Sequence, residues 1–197
     1  MSDPYASRPA VHEQTAGGFG TVRVLPLDPA ADAPLLHRWV SEERAVFWGM
    51  NGLTEQQVRE IYAHMETLDT HHAYLLVKDG EAAGLLQTYE PEADRVGECY
   101  PVEPGDIGMH LLLAPATRPI PHFTPRLATS LIKYMFSVPG KDRIIVEPDA
   151  RNAKALRRLE ATCFELGPII QLEEKEAQLG FLTRAGFEQI QAEQSTR

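Results

Sequence analysis

The chain has 197 residues, 43% of them hydrophobic and 24% charged, enough apolar material to close one sizeable core without metal or disulfide staples. Lys and Arg number 19 against 28 Asp and Glu, for a formal net charge of −9. That balance excludes a general nucleic-acid binder, which needs a basic footprint, and a protein docking electrostatically on anionic membranes.

No run approaches the roughly 18 apolar residues of a membrane span, and residues 1–20 lack the apolar stretch of a secretory signal. Cys99 and Cys163 share no metal-ligand spacing. They read as reduced thiols of a cytoplasmic protein, with no metal site expected. Residues 1–18 read as a flexible N-terminal tail and 189–197 as a polar C-terminal tail, flanking a single domain over 19–188.

Phe19 to Leu25 alternates apolar and polar residues and predicts a strand. Asp28-Pro29 opens a helix running to Glu42, followed by a loop, 44–51, rich in large apolar residues. Thr54 and Gln57 have capping-box spacing and predict a helix over 55–68, with Val58, Ile61, Tyr62 and Met65 as its apolar stripe. Strands at 73–77 and 81–89 flank Asp79-Gly80, a hairpin signal. An acidic loop covers 90–105, and 106–114 is a strand with a continuous apolar end.

Pro115, Pro119, Pro121 and Pro125 forbid regular structure in the next stretch. Thr124 as N-cap and Pro125 as first helical residue then predict a helix with Leu127, Leu131 and Met135 on its buried face. A strand at 143–146, a helix at 152–161 and extended segments at 165–172 and 177–184 complete an α/β pattern with a mixed sheet.

Two places attract chemistry. The connection from strand 106–114 to the next helix brings free backbone N–H groups and a helix N-terminus together, a setting for phosphate. Arg118 and Arg126 would add charge there, or be solvated arginines of a plain connection. His110 lies mid-strand in an apolar setting, and Asp149 follows the end of strand 143–146. Taken singly, His110 reads as a hydrogen-bonded core residue or a base, and Asp149 as a turn residue or a ligand-facing carboxylate. If their strands are neighbours, the pair could meet in one cleft, the carboxylate orienting the imidazole. Ser130 and Ser137 lack a nucleophile-elbow context, which argues against a serine hydrolase.

The stretches Phe47-Trp48-Gly49-Met50, Gln87-Thr88-Tyr89-Glu90-Pro91, Asp106-Ile107-Gly108-Met109-His110, Val146-Glu147-Pro148-Asp149 with Asn152, and Lys175, Ala177 and Leu179 occur in a recognisable order. With the order of elements, they resemble the GNAT acyl-CoA-dependent N-acyltransferases. The resemblance is narrower still to the siderophore-biosynthesis branch, which includes the aerobactin, mycobactin and desferrioxamine acyltransferases. It implies a central mixed, twisted sheet flanked by helices, with acyl-CoA as co-substrate and no permanently bound cofactor. It implies His110 and Asp149 as the catalytic pair. The pantetheine arm would pair with backbone at a bulged strand, Leu111, Leu112 and Leu113 to Ala114, with Asn152 nearby. The pyrophosphate would sit at the loop before the following helix. That loop departs from the family's glycine-rich pattern: residues 118–125 contain no glycine. Arg118, His122, Phe123 and Thr124 are therefore the candidate contacts.

The same resemblance implies a small-molecule hydroxyamine acceptor, N-hydroxycadaverine-like, receiving an acetyl or succinyl group to give a hydroxamate. Other siderophore-pathway enzymes are the implied partners. Trp48, Met50, Gln87, Tyr89 and Glu90 are candidate acceptor-pocket residues, with Glu90 placed to meet the distal ammonium of a diamine. An ordinary polyamine or lysine acceptor, and a silent acyl-CoA-binding domain, are the competing readings.

Overall fold

In the computed structural model, which describes residues 3–116 and 120–195, the chain follows the predicted alternation of strands and helices, with additions at both ends. It divides into two compact units, Met1–Thr88 with His110–Pro121, and Tyr89–Met109 with His122–Arg197.

In the first unit β1 (His12–Ala16) pairs antiparallel with β2 (Gly20–Pro26), His12 opposite Val24 and Ala16 opposite Gly20. β1 lies within the stretch expected to be a flexible tail. Its first four residues are polar on both faces, with Glu13 and Thr15 exposed and His12 and Gln14 half-buried. An edge strand of that kind carries no apolar alternation to reveal it.

Helix α1 (Pro29–Val40) starts where Asp28 accepts from the backbone N–H groups of Ala30 and Ala31. A 3-10 segment, Glu43–Trp48, occupies the apolar stretch read as a loop, and ends at Gly49 with φ 79°. Helix α2 (Glu55–Glu66) carries the predicted capping box between Thr54 and Gln57. β3 (His71–Lys78) and β4 (Glu81–Tyr89) meet at Asp79-Gly80, with φ of 49° and 82°. Two positive φ values match a type I′ hairpin turn, which Asp-Gly favours. The next strand is β5 (Asp106–Leu113).

Strand order in this unit is β1-β2-β3-β4-β5. Its core includes Leu25, Leu36, Val58, Tyr62, Leu75 and Leu85. The alternation of β2 and the stripe of α2 place these side chains inside. At Gly84 a Cβ would stand 2.7 Å from the Leu112 carbonyl oxygen. Glycine lets β4 and β5 backbones approach there.

The second unit holds residues 106–109 of β5, then α3 (Phe123–Ser137), β6 (Arg143–Val146), α4 (Ala153–Ala161), β7 (Glu165–Gln171), β8 (Glu176–Thr183) and α5 (Arg184–Ser195). Strand order is β5-β6-β8-β7. β5 and β6 are parallel, and β6–β8 and β7–β8 are antiparallel, so the sheet is mixed.

Two expectations need correction here. α3 begins at Phe123, not Pro125; its N-cap is His122 at φ 55°, and no side chain caps it. Proline is tolerated in a first helical turn because N–H groups there have no partner within the helix, so Thr124 and Pro125 are inside the helix rather than before it. Within the C-terminal stretch read as a polar tail, residues 189–195 belong to α5. Phe187, 8% exposed, is its buried anchor, and one aromatic among polar residues is a weak periodic signal.

Among the described residues no helix is long and apolar enough to cross a membrane. Cys99 and Cys163 are free thiols.

Candidate active site

His110 is the central candidate, and its neighbours in the first unit come from three other elements. The Trp48 indole, at the end of the 3-10 segment, meets the imidazole edge-on, centroids 6.3 Å apart and planes at 79°. From β4, the Gln87 side chain places Oε1 3.2 Å from His110 Nδ1. Gln87 Nε2 in turn donates to the Tyr62 hydroxyl of α2 at 3.2 Å, where Trp48 Nε1 also donates at 3.4 Å. The Tyr62 hydroxyl lies 3.9 Å from the Met50 sulfur. Burial pushes the Tyr62 phenol well above its ordinary range, so it keeps its proton.

The sequence folds into this cluster for simple reasons. Strand alternation turns Gln87 and His110 toward the same neighbourhood, and Trp48 and Met50 flank the left-handed Gly49. Of the expected acceptor-pocket residues, Trp48, Met50 and Gln87 thus join His110. Tyr62 was read only as part of an apolar stripe. A buried tyrosine needs a hydrogen-bond partner for its hydroxyl, and that is the signal that could have marked it.

Tyr89, Glu90, Asp149 and Asn152 belong to the second unit. Tyr89, 3% exposed, donates its hydroxyl proton to Glu147 Oε2 at 2.6 Å, and Glu147 is 2% exposed. Desolvation, followed by the Glu147 charge, raises the Tyr89 phenol pKa well above its ordinary value. Gly108 makes room for this: a Cβ there would collide with the Tyr89 ring. Lys175 Nζ donates to the Glu147 carbonyl oxygen at 2.9 Å. Glu90, expected to meet an acceptor ammonium, forms an ion pair with Lys141.

Asp149 is 6% exposed, and its carboxylate is held by Arg151. Oδ1 accepts from the Arg151 backbone N–H at 2.8 Å and from Nε at 2.9 Å, and Oδ2 from Nη2 at 2.7 Å. The Arg151 hydrogen bonds hold the Asp149 carboxyl below its ordinary range. Asp149 also bridges to Ala177 of β8. Asn152 accepts from the Ala155 N–H at 3.1 Å as N-cap of α4. The cation beside Asp149 stands two residues on, between Asp149 and Asn152 of the same motif.

On the expected cofactor side, Leu111 and Leu113 are partly buried and Leu112 is buried. The Leu113 carbonyl accepts from Arg44 Nη1 at 2.6 Å, and Ala114 N–H donates to the Ala83 carbonyl at 3.0 Å. Arg118 lies outside the described residues. His122, Phe123 and Thr124 cluster at the start of α3, where a cavity of about 400 Å³ is lined by His122, Arg126, Thr129 and Cys163 among others. Among the described residues no group of three or more His, Cys, Asp or Glu side chains could hold a metal ion.

The acetyltransferase (GNAT) domain description matches residues 28–172. The Escherichia coli N(6)-hydroxylysine O-acetyltransferase is 29% identical over 138 residues, 68% of this chain and 42% of that protein. The chain therefore spans less than half of that relative's length. An Acinetobacter baumannii N-hydroxyputrescine acetyltransferase is 27% identical over 160 residues, 80% of this chain and 76% of that protein. The solved structure of AAC(6′)-Ib in complex with ribostamycin and coenzyme A superposes with a TM-score of 0.75 at 25% identity, covering 85% of this chain and 96% of that one.

Proposed function

The chain belongs to the GNAT acetyltransferase family, and from that premise we propose that it transfers an acyl group from acyl-CoA to the N-hydroxylated nitrogen of a diamine, making a hydroxamate for siderophore biosynthesis. The observation that carries this reading is the cluster around His110, an imidazole held by the buried Gln87 amide and the Trp48 edge. Two relatives named for hydroxylated amines support the acceptor class.

A hydroxylamine nitrogen is much less basic than an alkyl amine, so it arrives neutral and nucleophilic. Its lone pair attacks the thioester carbonyl carbon. Backbone N–H groups near Leu111 or Leu112 stabilise the resulting oxyanion. Collapse breaks the carbon–sulfur bond and expels the CoA thiolate. His110 takes the proton released from nitrogen and returns it to the thiolate; because the acceptor attacks the thioester directly, no covalent enzyme intermediate forms. Asp149 is the second residue of the proposed catalytic pair, its carboxylate already held by Arg151.

On the donor side, the β5 backbone at Leu111, Leu112 and Leu113, together with Asn152, takes the pantetheine. His122, Phe123, Thr124 and Arg118 take the pyrophosphate. The preferred acceptor is N-hydroxycadaverine, with acetyl or succinyl as the group moved. The chain's net charge of −9 suits a cationic acceptor and requires local cations for the donor. Thiol release with N-hydroxycadaverine and with cadaverine tests the proposal. Faster release with the hydroxylated amine supports it. Equal rates would favour an ordinary polyamine acceptor, and binding of acyl-CoA without release would favour a silent binding domain.

A further inference from the structure

Tyr62 is a buried titratable group that the reaction above does not use. It is 1% exposed, so its hydroxyl needs hydrogen-bond partners in the interior. Three groups meet it: Gln87 Nε2 at 3.2 Å, Trp48 Nε1 at 3.4 Å and Met50 Sδ at 3.9 Å. An indole N–H only donates, and a thioether sulfur only accepts. The phenol oxygen therefore receives the Trp48 proton, and its own proton goes toward Met50. What remains on the phenol oxygen is a lone pair, which selects the NH₂ end of the Gln87 amide.

That choice has a consequence 3.2 Å further on. With its nitrogen toward Tyr62, Gln87 presents Oε1 to His110 Nδ1. A carbonyl oxygen accepts and cannot donate, so the imidazole nitrogen facing it must carry the proton. We infer that Tyr62 is a positioning residue: through Gln87 it holds His110 as the Nδ1–H tautomer, with the lone pair on Nε2. An isolated histidine side chain favours the opposite tautomer, so the protein imposes this one. The inference deepens the proposed reaction and rests on His110 as its base, because a base needs its lone pair on the nitrogen turned to the substrate.

The test is side-chain ¹⁵N–¹H correlation spectroscopy of the full-length, substrate-free protein at alkaline pH, with His110 assigned through His110→Ala. The expected spectrum has a protonated Nδ1 and a pyridine-like Nε2. Tyr62→Phe and Gln87→Leu should shift the population toward Nε2–H. Both should lower kcat with the acyl-CoA KM little changed, by up to the roughly 10⁴-fold that a wrong tautomer costs in a serine-protease triad. Gln87→Glu keeps an acceptor at the same place and should retain Nδ1–H and recover turnover relative to Gln87→Leu.

If Tyr62→Phe does not fold, Gln87→Leu carries the same test. A wild-type Nε2–H tautomer, or a tautomer unmoved in folded variants, overturns the inference. A correct tautomer combined with full turnover in His110→Ala leaves the role of Tyr62 standing and removes His110 as base.

Discussion

Gln87 Oε1 and His110 Nδ1 stand 3.2 Å apart, an amide carbonyl from β4 facing an imidazole from β5. This contact makes His110 a member of a chain of polar groups rather than a lone histidine on an apolar strand. It also sets the first prediction. His110→Ala should lower turnover by about 10²–10⁴ while the thermal melt stays close to wild type, because His110 is only half-buried. Steady-state kinetics and calorimetry of the variant check both halves.

Glu90 and Lys141 form an ion pair, so charge at Glu90 has two roles to separate. Glu90→Lys should raise the acceptor KM and also destabilise the fold by placing two ammonium groups together. The exchange of both charges, Glu90→Lys with Lys141→Glu, should recover the melting temperature and leave the acceptor KM high. Recovery of both would assign Glu90 to structure alone.

Much of the fold was legible in the sequence because the devices that make it are local. The Thr54–Gln57 capping box and the Asp79-Gly80 turn each act over a few residues, and each formed where predicted. β1 and α5 escaped because their burial comes from what packs on them, not from a periodic apolar pattern of their own. The candidate site was legible in part. Trp48, Gln87 and His110 were named from motifs. Tyr62 was not, since a tyrosine in an apolar stripe looks the same whether or not its hydroxyl organises a network. Asp149 was seen as a carboxylate at a strand end, but the fork from Arg151 that occupies it depends on a side-chain conformation.

At Gly108 of β5 an added methyl group meets the Tyr89 ring. Gly108→Ala should destabilise the protein by about 1–3 kcal/mol through overpacking and disturb the bond from Tyr89 to Glu147. Tyr89→Phe tests the same contact from the other side. It removes one donor to a carboxylate that is 2% exposed, at a cost of about 1–3 kcal/mol. Denaturant unfolding of both variants checks these values.

Asp149 is held below the ordinary carboxylate range, chiefly by the Arg151 side chain. A carboxyl with a depressed folded-state pKa contributes stability that is complete above its unfolded pKa, about 3.9. That contribution is lost as pH falls through the lower folded value. The melting temperature should therefore drop below about pH 4. Asp149→Asn should be less stable than wild type at neutral pH and show a shallower acid limb. Parallel acid limbs for the two proteins would remove Asp149 from this account.

The central claim is that the product is a hydroxamate. The most direct measurement is the ferric-hydroxamate absorbance after incubating the protein with N-hydroxycadaverine and acetyl-CoA or succinyl-CoA. The account predicts colour that grows with enzyme and time, forms about 10²–10⁴ times more slowly in His110→Ala, and is absent when cadaverine replaces the hydroxylated amine. Thiol release with cadaverine but no ferric colour with the hydroxylated amine would contradict it.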